Sequence, residues 1–183
     1  GKGLTTDQLA ALTTAAVAAL TTSQVAKGLT TDHVVALTTG QVASLTTDQI
    51  VVLTTDQVAA LETRDVAALK TGQVAALTTT QIGKGLTTDQ LAALTTAAAA
   101  ALTTDQISKG LTTDQVVALT TGQVASLTTD QVTSLTTTQV AALETRDVAA
   151  LKTGQVAALT TTQVAKGLTT DQLAALTSAQ VSS

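Results

Sequence analysis

The chain has 183 residues, a net charge of −4 and 12% charged residues, and its 44% apolar content is Leu, Val, Ile and Ala alone, with one His and no Phe, Tyr, Trp, Met, Cys or Pro. The lack of Cys excludes disulfides, thiolate metal sites and thiol nucleophiles, and sparse charge of acidic sign excludes the clustered Lys and Arg that nucleic acid requires. No apolar run is long enough to cross a membrane, no signal peptide is recognisable, and the apolar content argues against simple disorder. The opening at Gly1 without Met reads as a segment excised from a longer protein.

From Leu4 to Leu176 leucine recurs 22 times, in steps of eight residues except four steps of nine, which follow Leu20, Leu77, Leu102 and Leu159. These octads, numbered 1 to 22 by their leading Leu, share the consensus Leu-Thr-Thr-Asp-Gln-Val-Ala-Ala. Such short-period self-similarity marks an array whose units contact mainly their neighbours.

In the first octad, Thr5 and Gln8 have the spacing of a capping box, and Leu4 and Leu9 that of a hydrophobic staple. Asp7 suits the positive end of a helix, and Ala10-Ala11 supplies helix formers. Each octad therefore reads as a new helix start. The cap falls on the first Thr by the box. It falls on the second by substitution, because Glu62, Lys70, Glu144 and Lys152 replace the first, whereas the second is always Thr or Ser.

The nine-residue steps end in Lys27-Gly28, Lys84-Gly85, Lys109-Gly110 and Lys166-Gly167, and Lys2-Gly3 repeats the pair at the start. A cation in the last turn followed by Gly and Leu predicts a helix closed by a left-handed glycine. One long helix is excluded. At 100° per residue the leucines drift about 80° per octad and make no stripe. The fold class is an all-α, elongated solenoid of short capped helices with an 8-residue repeat. A β-solenoid is the alternative, because Thr and Val favour strands and the fourth position is turn-like. A two-turn helix does not hold alone in water, so stability must come from stacking Leu and Val into a shared seam.

A longer period lies above the octad. Residues 2–83 repeat as 84–165 with 11 differences over 82 positions, and 166–183 begin a third copy. The chain reads as a single repeat array over 1–183 with no internal linker.

Candidate sites are few. Glu62, Arg64, Asp65 and Lys70, with their counterparts Glu144, Arg146, Asp147 and Lys152, form a charged group that reads as a docking face or as solvated ion pairs. Glu62 and Lys70 would pair if consecutive octads lay side by side. His33 stands where Gln115 stands in the second copy. It has no Cys or second His as partner for catalysis or metal binding. The paired Thr residues form an array that resembles ice-binding surfaces, and capping explains them equally. No catalytic, cofactor or metal site is expected, and no enzyme activity.

Leu111-Thr112-Thr113-Asp114-Gln115-Val116-Val117-Ala118 is similar to the opening helix of TAL-effector repeats. The array lacks their roughly 34-residue period, base-reading loop and basic character, so DNA binding is not implied. Over its whole length the chain resembles the Leu-Thr-Thr-x-Gln-Val-Ala-Ala-Leu arrays of large bacterial secreted or surface proteins. That resemblance implies a structural spacer or stalk in an extracellular or cell-surface setting. The competing expectation is a binding module, through the Thr array or the charged face. Both ends of the array share the internal seam, so self-association is expected through Leu4, Leu9 and Leu12 or Leu173, Leu176 and Val181.

Overall fold

The computed structural model describes residues 4–182. Each of the 22 octads forms one short helix, nineteen of them α-helical and three π-helical, and no strand occurs among the described residues. The all-α expectation holds and the β-solenoid is not supported. Helices of four to six residues, such as Thr39–Val42 and Thr113–Ala118, are too short to persist alone.

The helix begins after the first Thr of each pair. Thr112 is extended (φ −78°, ψ 164°) and its Oγ1 accepts the Gln115 N–H at 3.2 Å, while Gln115 Oε1 accepts the Thr112 N–H at 3.0 Å. The capping box thus decides between the two cap positions read from the sequence. Glu62, Lys70, Glu144 and Lys152 occupy the cap without a side-chain cap bond.

Packing fixes the coil. Helix Thr6–Ala10 lies against Thr31–Ala36, Thr63–Ala67 against Thr88–Ala93, and Thr113–Ala118 against Thr137–Ala142. In each case the partner is three octads away. Three octads, 24 or 25 residues, therefore make one coil, and the 22 octads form a three-sided prism of just over seven coils. At the usual 8–10 Å between packed helices the rod is about 60–75 Å long.

Within most octads the leading Leu, the Gln and the following Val or Ile are buried, while the cap residue and the Asp face solvent. Val124 and Leu127, for example, are 0% and 3% exposed. The interior is a continuous aliphatic seam, and full burial of each such side chain contributes about 1.5–3 kcal/mol.

The buried Gln ties the coils together. Gln123 uses Oε1 in its own capping box and donates through Nε2 to the carbonyls of Leu91 (2.9 Å), Ala92 (3.3 Å) and Leu94 (2.7 Å), one coil earlier. Those carbonyls close one helix and open the next, where short helices leave acceptors unsatisfied. The same bonds recur from Gln41 through Gln172, for example Gln41 to Leu12 at 2.8 Å and Gln172 to Leu143 at 2.6 Å. They form a ladder along each edge of the prism.

The Lys-Gly joints differ from the sequence expectation. No described glycine has positive φ. The ninth residue is instead absorbed as a wider turn, in which Leu86 N–H bonds Gln81 O at 2.8 Å and Leu111 N–H bonds Gln106 O at 2.9 Å. This is the five-residue spacing of a π-turn. At two of the joints glycine leaves room for the neighbouring coil: a Cβ on Gly85 would lie 3.1 Å from Val58 Cβ, and one on Gly110 would lie 3.2 Å from Ile82 Cβ.

Candidate functional site

An 82-residue copy contains ten octads, one more than three full coils. Equivalent residues in successive copies therefore face successive sides of the prism. Glu62 and Arg64 belong to octad 8, Glu144 and Arg146 to octad 18, and the two groups point from different sides. The expected single charged face is a feature that turns by one side, about a third of a revolution, with each copy.

The group itself is rearranged. Glu62 pairs with Arg64 within its own octad, and Glu144 with Arg146. Lys70 stands at the cap of octad 9, on the next side, and neither Lys70 nor Lys152 forms an ion pair among the described residues. Asp65 and Asp147 are 0% exposed and are not part of any docking surface. Each stands at the Gln position. Asp65 Oδ1 accepts the Thr39 hydroxyl at 2.6 Å and lies 3.7 Å from Arg64 Nε, whereas its Oδ2 has no hydrogen-bond partner. Asp147 repeats this with Thr121 and Arg146. The exposed remainder is Arg64 with the rim of Glu62, and Arg146 with the rim of Glu144.

His33 performs the work of the Gln it replaces. Its Nδ1 faces the Thr30 N–H at 3.1 Å and its Nε2 lies 2.8 Å from the Leu4 carbonyl oxygen, one coil earlier. Acceptor on one nitrogen and donor on the other is the neutral Nε2–H tautomer. It is half-buried rather than fully exposed.

The 25-residue spacing of Lys84 and Lys109 equals one coil, so their turns stack on one side. They line a shallow cleft with Thr79, Thr80, Thr112, Gly83 and Gly110. Lys109 is held by Asp105 at 2.9 Å. Among the described residues no group of three or more acidic or His side chains is placed to hold a metal, and no helix is long and apolar enough to cross a membrane.

Sequence reasoning missed the second role of Gln. Seventeen of the 22 octads carry Gln at this position and none carries Glu. A capping box accepts either. Of the two, only the amide of Gln both accepts and donates, and that exclusion of Glu was the available signal.

The octad pattern matches the ALTTAQ repeat over residues 2–39, 28–61, 58–96, 109–145 and 140–178. The chain belongs to the ALTTAQ repeat family. Comparison with curated proteins and with solved structures finds no match. In this ALTTAQ array, then, four residues of the pattern have a clear structural role. Leu and Val build the seam, Thr caps the helix, and Gln forms the ladder.

Proposed function

We propose that this ALTTAQ array is a structural spacer, a stalk segment of a larger bacterial surface or secreted protein, with no catalytic role. The observation that carries the reading is the closed division of three octads per coil. It keeps the cross-section constant however many octads are added, so near-identical 82-residue copies lengthen the rod without reshaping it. Each copy adds ten octads, about 30 Å at ordinary helix spacing. The resemblance to arrays of large secreted proteins supports the extracellular setting.

Small-angle scattering on this chain and on a variant lacking residues 84–165 tests the spacer. The maximum dimension is expected to fall by about 30 Å with the cross-sectional radius unchanged. A change in cross-section, or no shortening, overturns it.

The binding-module reading has less support. The hydroxyl of the first Thr in each pair accepts a backbone N–H, which accounts for that half of the Thr array without ice. The Arg64 and Arg146 groups share no face. Of the expected partners, a second copy of the chain fits best. Leu4, Val164, Leu173 and Val181 are 44%, 42%, 43% and 69% exposed at the two ends. Leu9, by contrast, is fully buried and belongs to the first coil's own core.

A further inference from the structure

We propose that Asp65 and Asp147 each hold a monovalent cation of ammonium size, potassium or ammonium itself, at a corner between two coils inside the array.

The neighbouring corners define the place. Gln57 Nε2 lies 3.1 Å from Val25 O and 2.6 Å from Leu29 O, and Gln73 Nε2 lies 3.0 Å from Val42 O and 2.8 Å from Leu45 O. The corner between them offers the same two acceptors, Val34 O and Leu37 O. Its backbone is alike: the Leu37 N–H bonds Val34 O at 3.2 Å, as the Leu45 N–H bonds Val42 O at 3.2 Å. The side chain that meets this corner belongs to Asp65. It is one methylene shorter than Gln and carries no N–H. The second copy repeats the arrangement. Gln139 bonds Ile107 O and Leu111 O, Gln155 bonds Val124 O and Leu127 O, and Asp147 stands between these two rungs.

The corner therefore holds oxygen where its neighbours hold nitrogen. Asp65 is 0% exposed, its Oδ1 accepts the Thr39 hydroxyl at 2.6 Å, and its Oδ2 is buried without a hydrogen-bond partner. Asp147 has the same burial, the same bond to Thr121 and the same unpartnered Oδ2. Buried charges are paired or coordinate a metal. Arg64 does not neutralise Asp65. Its Nε lies 3.7 Å from Oδ1, its NH2 group pairs with Glu62, and its side chain is 68% exposed. Glu62, Arg64 and Asp65 together carry one net negative charge. A monovalent cation cancels that charge and serves Oδ2 and the carbonyls at once. A water molecule leaves the charge in place.

Distance selects the ion. At the flanking corners the amide nitrogen keeps 2.6–3.1 Å from its two carbonyl oxygens. Calcium and magnesium hold oxygen at about 2.0–2.6 Å and require more ligands. Ammonium donates to oxygen at the distance of the amide it replaces, and main-chain carbonyls replace the hydration shell of potassium. One such site falls in each 82-residue copy. The first ties octad 8 to octad 5, the second octad 18 to octad 15, so the strength of these two joints depends on the cation present.

Amide hydrogen exchange in chloride salts at one ionic strength tests this, because repeat arrays open locally. Potassium, ammonium and sodium are compared with tetramethylammonium, which is too large for the place. Octads 5, 8, 15 and 18 are expected to exchange more slowly in potassium or ammonium than in tetramethylammonium, by about tenfold at roughly ten times the Kd of the ion. Sodium falls between, and the stronger of potassium and ammonium names the occupant. The joint from Gln106 to Leu77 is the internal control and should exchange alike in all four salts. Asp65→Asn/Asp147→Asn removes the charge at constant size and should abolish the difference. Asp65→Gln/Asp147→Gln, which puts an amide where the cation stands, should do the same. In crystals soaked with rubidium, anomalous peaks are expected beside both Asp residues. Equal exchange in every salt, a difference that survives in the Asn and Gln variants, or rubidium bound only elsewhere overturns the proposal.

Discussion

His33 reaches the carbonyl of Leu4 across one coil, its Nε2 2.8 Å from that oxygen, as Gln115 Nε2 reaches Leu86 O at 2.7 Å in the second copy. Two unlike side chains satisfy one requirement: an acceptor for the cap N–H and a donor for the coil beneath. His33→Gln should therefore change stability by less than about 0.5 kcal/mol, and His33→Ala should cost about 1–2 kcal/mol by removing both bonds. Urea unfolding of the two variants checks this. Equal losses would show that the ring does no more than fill space.

That equivalence marks what the sequence revealed. The helix starts were legible in Thr5 and Gln8 because capping is local, fixed by residues three apart. The solenoid was legible because leucines at period eight make no stripe on one helix. The number of octads per coil was not legible. It is set by which octad Gln123 reaches, a contact 29–32 residues away that every octad is equally able to make. The charged group was misread for the same reason. Without three octads per coil, nothing separates Glu62 from Lys70 or sends Asp65 to the interior. The glycine of Lys84-Gly85 was read as conformational. The structure instead places it close against Val58, and that neighbour is known only once the coil is.

The ladder predicts an asymmetry between ends and middle. Gln123→Glu keeps the capping box, removes three donors and faces a carboxylate toward the carbonyls of Leu91, Ala92 and Leu94. It should cost about 3–5 kcal/mol, in the range for a broken buried polar pair. Gln8 Nε2 bonds no acceptor among the described residues, so Gln8→Glu should cost less than about 0.5 kcal/mol. Because repeat arrays open locally, amide hydrogen exchange of the flanking coils is the measurement. Equal effects at the two positions would remove the ladder as a source of stability.

Asp65 predicts a gain. It lacks the amide that neighbouring corners use: Gln57 donates to Leu29 O at 2.6 Å and Gln73 to Leu45 O at 2.8 Å, while among the described residues no side-chain donor is bonded to Leu37 O, the corner between those two. Its Oδ2 is buried without a hydrogen-bond partner. Asp65→Gln restores the common arrangement and should raise stability by about 1–2 kcal/mol despite losing the Thr39 bond, since it replaces an unsatisfied buried oxygen by a bonded amide. Asp147→Gln should do the same. Thermal unfolding of both singles and the double tests it, and lower midpoints would mean that the Thr39–Asp65–Arg64 contacts outweigh the missing donor.

Glycine at the joints separates clearance from conformation. Gly85 and Gly28 hold the same place in successive nine-residue steps, both with negative φ. A Cβ at Gly85 would meet Val58 Cβ and Cγ1 at 3.1 Å and Thr55 O at 3.4 Å, while one at Gly28 would meet nothing within 4 Å. If clearance is the reason for glycine, Gly85→Ala forces two coils apart and should cost about 1–3 kcal/mol, the usual range for overpacking. Gly28→Ala meets no neighbour and stiffens the unfolded chain, so it should be neutral or stabilising by up to about 1 kcal/mol. Gly85→Ala should also speed hydrogen exchange in octads 7 and 10, whose helices pack on each other. Equal destabilisation at both sites would instead assign the glycines to the backbone shape of the π-turn, because that shape is common to the two joints and the crowding is not.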